Sequence, residues 1–400
     1  MSHVEVPPAR GTRPRNRRAV TVQAATELFY RKGYSSVSVA EIARATNVGS
    51  SAIFRHFSTK SELLVEAIRC GLRPFDEVLA SAKTNSDHGP VALPSLLRQL
   101  AQLALDHREL GVLWQREARS LDEVDQKRLR NELRLTTSSL ARFIQLDRPE
   151  LNQRQTDFLA WCVLGALVSI GFHSLELPRD QYADLLFDLT STLARIEMAE
   201  NVAVDADAGD SSVSESSRKD FLVSEAVELF AERGFVAVAV DDIGEAAGIA
   251  GPSIYSHFPS KQKILLAAME RGNDLLRSEA DAALSRDDPP QTKLGLLVTS
   301  YVSLAVRDRF LIRIVLSEVN QLEAADREFA RQQQRDYIDR WTDLLLRYRA
   351  GDGTSAQIRV QAVLLVVSNA VQTPHLRSLP GLERYLQCVG RALLGLPEED

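Results

Sequence analysis

A gapless internal repeat is the feature of this 400-residue chain that most restricts its fold. Residues 17–68 lie over residues 218–269, and 17 of the 52 pairs are identical. The shared positions include Glu27/Glu228, Leu28/Leu229, Phe29/Phe230, Gly33/Gly234, Ile42/Ile243, His56/His257, Phe57/Phe258 and Lys60/Lys261. Within them "VGSSAIFRHFSTK" at 48–60 answers to "IAGPSIYSHFPSK" at 249–261. Two copies mean a duplicated domain, because a solenoid stacks more repeats than that. The length agrees, since a chain of this size exceeds what one hydrophobic core usually serves.

Each copy opens with the same order of elements. Val22, Ala25, Leu28 and Phe29 form one apolar stripe of a first helix, and Gly33 suits its left-handed C-cap. Ser38-Val-Ala-Glu41 has the spacing of a capping box at the start of a second helix. A tight turn at 47–49 leads to a third helix over 50–57, and a fourth follows Lys60. Amphipathic helices then continue in the first copy near 93–106, 109–119, 122–146, 151–175 and 180–198. In the second copy they lie near 291–306, 309–318, 323–349, 355–372 and 381–394. Gly and Pro breakers fall between them. The alternating stretches "SSVSVA" and "VAVAV" are brief and sit between helices, so the fold class is all-α.

Two short helices joined by a tight turn, with a helix before them, are the parts of a helix-turn-helix. Its second helix enters the major groove with N-terminal residues at base edges. Small residues there, Gly49, Ser50, Ser51 and Ala52, let the backbone approach. Ile53 and Phe57 face the core, Arg55 and His56 face outward, and Lys60 is expected on a phosphate. Gly33-Tyr34, Ile42-Ala43, Val48, Ile53-Phe54, His56-Phe57, Lys60 and Leu64 resemble the DNA-binding head of the TetR/AcrR family of bacterial repressors. The second copy resembles it through Gly234-Phe235, Ile243, Ala247-Gly248-Ile249, Ile254-Tyr255, His257-Phe258, Lys261 and Leu265.

The resemblance implies two tandem units, each a three-helix head followed by a helical ligand-binding and dimerisation domain. The expected divisions are a tail at 1–12, heads at 13–73 and 216–272, and regulatory domains at 74–198 and 273–400. The acidic, Ser-rich segment 199–215 reads as a linker. In the family the last two helices of each regulatory domain pair in a four-helix interface, so the chain is expected to form an intrachain pseudo-dimer. A further association of two chains is left open. The resemblance also implies a double-stranded DNA operator and a small effector. Contacts to DNA are expected from Arg13, Arg15, Arg17, Arg18, Ser38, Gly49, Ser50, Ser51, Ala52, Phe54, Arg55, His56 and Lys60 in the first head. In the second they are expected from Ala250, Gly251, Pro252, Ser253, Tyr255, Ser256, His257 and Lys261. Phe54 stands where the family usually has Tyr, and Ala239 stands where the first copy has the capping Ser38.

Charge separates the copies although the whole chain is acidic, at −6. Residues 1–73 carry a net +7 and residues 214–271 a net −3. Phosphate neutralisation dominates DNA affinity, so the first head should grip harder. The basic arm Arg10, Arg13, Arg15, Arg17 and Arg18 has the composition to reach an adjacent minor groove. Two unlike heads would read a non-palindromic operator. An alternative is an adaptor that uses only the first head on DNA and the acidic second head on a protein.

An effector pocket is expected to draw on Trp114, Phe143, Trp161, Phe172 and His173 in the first unit, and on Phe310, Tyr337 and Trp341 in the second. Apolar walls favour an apolar or lipid-like ligand. His173-Ser-Leu-Glu176 has helical spacing but no third ligand beside it, so no metal is expected, and no cofactor. No nucleophile–base pair or glycine-rich phosphate loop points to an enzyme. Three widely spaced cysteines suit a reducing cytoplasm. The apolar run 158–172 is short for a bilayer and is expected to be a buried interface helix.

Overall fold

The computed structural model describes residues 17–84, 92–198, 218–249 and 251–397. Among these the regular elements are all helical. By proximity of Cα atoms the chain divides into two compact units. One comprises Met1–Ala160 with Leu167–Ser191, and the other Trp161–Ala166 with Thr192–Asp400. The predicted tail at 1–12, the linker at 199–215, the arm residues Arg10, Arg13 and Arg15, and Ala250 lie outside the described residues.

In the first head, α1 (Arg17–Lys32) buries Val22, Ala25 and Phe29, the stripe expected from the sequence. It ends on Gly33 at φ +83°, a left-handed conformation that glycine adopts without strain. Next, α2 (Val39–Ala45) begins at Ser38, whose hydroxyl accepts the Glu41 amide while the Glu41 carboxylate accepts the Ser38 amide. The Ser38 amide, helped by Lys32 Nζ at 3.1 Å, holds the Glu41 carboxyl down at about 2. The turn that follows puts Asn47 at φ +53°, and its counterpart Gly248 at φ +65°. Asn and Gly are the residues that tolerate this region best.

The reading helix α3 (Ser50–Phe54) is shorter than expected, with Arg55 and His56 in the turn after it. It is anchored by Ile53, and Phe57 closes the head behind it, both essentially inaccessible. The long α4 (Lys60–Thr84) then leads out of the head. It packs on α1 and on α5 (Leu93–Asp106), α6 (Glu109–Gln115) and α7 (Glu123–Asp147). A 3-10 turn (Glu117–Ser120) follows α6, so the predicted 109–119 helix is two pieces. Asn152 and Gln155 form a second capping box at the start of α8 (Gln153–Ser169). A 3-10 turn (Ile170–Phe172) ends that run, and α9 (Arg179–Ala194) completes the set. The stretch Gln153–Phe172 is long and apolar enough to cross a membrane by length and composition, but 78% of its apolar window is buried inside the protein.

The second copy repeats the order as α10 (Arg218–Arg233), α11 (Val240–Ala246), α12 (Gly251–Ile254) and α13 (Lys261–Leu284). Beyond it come α14 (Pro290–Arg307), α15 (Arg309–Ser317), α16 (Ala324–Tyr348), α17 (Gly353–Gln372), the short α18 (Pro374–Arg377) and α19 (Leu382–Leu394). Its head core is continuous with the regulatory helices, because Phe230, Ile243, Ile254 and Phe258 cluster with Leu311 and Ile314 of α15. The missing cap at Ala239 is half replaced, since Asp242 accepts the Ala239 amide at 2.7 Å.

Candidate nucleic-acid interface

The side chains expected to read DNA stand on the surface of each head. Gly49, Ser51, Phe54, Arg55 and His56 are exposed, Ser50 and Ala52 half-buried, and Ser253, Tyr255, Ser256 and His257 exposed in the second head. Phe54 and Tyr255 keep more than half their surface open, at 52% and 56%. Gly251 and Pro252 open α12. Ser256 Oγ donates to the Ser253 carbonyl at 2.7 Å.

Two lysines expected to contact DNA are bonded to the head itself. Lys60 Nζ donates to the carbonyls of Tyr34 and Val37 at 2.8 and 2.9 Å and lies 4.0 Å from the Tyr34 ring centre. Lys261 repeats this on Phe235 and Val238 at 2.8 and 2.7 Å, with the Phe235 ring at 4.3 Å. Each ammonium has three N–H donors, so at most one remains for a phosphate. Burial pulls both lysines below their ordinary value. The lysine is thus a staple that ties the start of the fourth helix to the loop after the first. Arg17 and Arg18 are not in an arm but in the first turn of α1. Arg18 pairs with Glu66 at 2.8 Å and lies 5.0 Å from the Phe57 ring centre. Ser38 has its hydroxyl engaged in the cap of α2.

Two features escaped the sequence reading. Arg44 is exposed on α2, and its counterpart 201 residues on is the exposed Glu245. Arg55 is likewise replaced by Ser256, and Ala40 by Asp241. The charge contrast therefore sits on the helix-turn-helix itself and not only in the arm. Pairing the copies residue by residue would have found it. The second feature is Glu117. Its buried carboxylate accepts the Tyr34 amide at 2.7 Å, and its neighbour Arg116 pairs with it and donates to the Tyr30 carbonyl. The end of α1 is thereby bonded to the end of α6. Glu318, the equivalent residue, is also buried, but a Cβ on Gly234 would meet nothing within 4 Å, whereas one on Gly33 would meet Glu117.

The residues expected at a pocket in each unit take different surroundings. Trp161 counts with the second unit, where its ring centre lies 5.4 Å from the His375 imidazole. Trp341 is fully buried, edge-on to Tyr301 at 6.3 Å and tilted to Tyr337 at 6.0 Å. Phe310 packs instead against the core of the second head, beneath the Arg309 guanidinium at 4.1 Å. Trp114, Phe143, Phe172 and His173 are half-buried in the first unit.

The family model of bacterial regulatory proteins of the tetR family matches residues 22–67 and 222–268, the two heads. Both heads belong to the tetR family. Among curated relatives, the transcriptional repressor KstR2 of Mycolicibacterium smegmatis is 30% identical over 132 residues, 32% of this chain and 64% of its own. The transcriptional activator FasR of the same organism is 31% identical over 98 residues, 24% of this chain and 45% of its own. The fatty acid metabolism regulator protein of Bacillus subtilis is 29% identical over 102 residues, 25% of this chain and 52% of its own. The chain spans less than two thirds of the length of each.

Proposed function

We propose that this chain is a cytoplasmic DNA-binding transcriptional regulator with two unlike tetR-family heads, acting as an intrachain pseudo-dimer on a non-palindromic operator. The observation that carries the reading is the pair of heads with one frame and different surfaces: Arg44 and Arg55 in one, Glu245 and Ser256 in the other. The frame is kept by the same lysine staple and the same buried Ile–Phe pair, so the outward residues are free to differ. Different side chains at equivalent positions read different base edges.

A small apolar or lipid-like effector releases the DNA, by binding the DNA-competent and released states with different affinity. The likeness to regulators named for repression and for fatty acid metabolism supports this direction. The reading is tested by the native mass of the protein on a duplex from its own upstream region. One chain per site is expected. Two chains per symmetric site would contradict the pseudo-dimer, and a DNA complex unaffected by loss of the second head's outward residues would favour the adaptor.

A further inference from the structure

Among the described residues, the regulatory part of the first unit holds several buried side-chain donors with no hydrogen-bond partner, and two of them lie near Arg108. His173 Nδ1 accepts the Leu175 amide at 3.3 Å. In a neutral imidazole the proton is then on Nε2, which makes that atom a donor. Nε2 is buried and unpartnered. The Tyr182 hydroxyl, on α9, is also buried and unpartnered, on a side chain only 3% exposed. Burial and the nearby Arg108 charge keep His173 neutral down to about 4, and burial pushes Tyr182 up to about 12, so both keep their protons at neutral pH.

The Arg108 guanidinium lies near both residues. Arg108 Nη2 donates to the carbonyls of Ile170 and His173 at 2.9 and 3.0 Å, and its carbon lies 5.8 Å from the Tyr182 ring centre. These partners are carbonyls and carry no formal charge, so the positive charge is not cancelled by them. Unmatched buried donors beside an uncancelled cation are the groups that an acceptor oxygen would satisfy.

We propose that Arg108, His173 and Tyr182 form the polar anchor of the effector site, taking the carboxylate or carbonyl oxygen of an otherwise apolar ligand. The inference deepens the regulatory reading above and rests on it for its consequence. The anchor adjoins the head. Tyr30 of α1 donates to the Gly171 carbonyl at 2.9 Å, in the turn that also supplies the Ile170 and His173 carbonyls to Arg108. That turn has no slack, since a Cβ on Gly171 would fall 2.2 Å from the Arg108 carbonyl oxygen. A ligand that draws on Arg108 and His173 therefore pulls on the residue that Tyr30 holds. Arg309, the counterpart of Arg108, lies over Phe310 instead, so the anchor is a property of the first unit.

The test is calorimetric titration of the full chain with octanoate and with 2-nonanone, repeated on Tyr182→Phe and His173→Phe. Wild type is expected to bind at least one probe, and each variant to bind it ~10-fold or more weakly. Tighter binding of octanoate would assign the site to carboxylates, and comparable binding of both to carbonyl-type acceptors. The melting temperature of probe-free Tyr182→Phe should be unchanged or higher, since the lost hydroxyl had no partner. A lower melting temperature would assign the hydroxyl a permanent internal role and overturn the proposal. So would unaltered probe affinity in both variants, or no binding of either probe to wild type. DNA binding is measured separately on wild type without probe, so a failure of the regulatory reading is told apart from a failure of the anchor.

Discussion

Lys60 and Lys261 show how one side chain can serve the frame of a DNA-binding head before it serves the DNA. Each bonds two loop carbonyls and stacks on an aromatic ring. Removing a partner of partly buried carbonyls costs about 1–3 kcal/mol. Lys60→Met and Lys261→Met should therefore each lower stability by about that much, read by urea denaturation. A lysine used only on phosphate would leave stability unchanged and lower the salt dependence of DNA binding alone. His173 gives a second prediction at this scale. Its folded value lies near 4, below the ordinary 6.5. The unfolded chain takes up a proton first as pH falls, so the stability that neutral His173 retains at pH 7 is lost between about 6.5 and 4. The difference in melting temperature between wild type and His173→Leu should change with pH in that window and be flat above it.

At the scale of elements, the turn inside each helix-turn-helix is the point where backbone conformation limits the sequence most. Asn47 sits at φ +53° and Gly248 at φ +65°. A β-branched residue there is strained by roughly 1–3 kcal/mol. Asn47→Val should lower the melting temperature and Asn47→Gly should leave it nearly unchanged, as calorimetry will show. The element pattern was largely legible in the sequence: predicted ranges such as 93–106 and 381–394 fall within a residue of α5 and α19. Apolar spacing, Gly C-caps and Ser–Glu capping are local signals, and local signals set helix ends. What depends on long-range partners was not legible. The Arg18–Glu66 pair, the lysine staple and the Glu117 bond to the Tyr34 amide join residues 23 to 83 positions apart. The same reason governs which neighbours the aromatic residues expected at a pocket meet. Aromatic residues at helical spacing are selected for burial, and only the fold decides which of them meet. Trp341 meets Tyr301 and Tyr337, while Phe310 goes to the head core.

On the scale of the whole molecule, duplication has kept the packing and released the surface. Buried pairs such as Phe29/Phe230, Ile42/Ile243, Ile53/Ile254 and Phe57/Phe258 are identical, whereas Arg44/Glu245 and Arg55/Ser256 reverse or remove charge. Packing density leaves little room for change inside a head, and solvent leaves much. DNA affinity depends on the surface, so the two heads should contribute unequally. The most direct measurement is fluorescence anisotropy of an upstream duplex across a salt series. It compares wild type with Arg44→Ala/Arg55→Ala and with Tyr255→Ala/His257→Ala. The first-head variant should lose the more affinity and lower the slope of log K against log salt by up to ~2. The second-head variant should lose less and keep the wild-type slope. Equal losses from the two heads, or a larger loss from the second, would contradict the account.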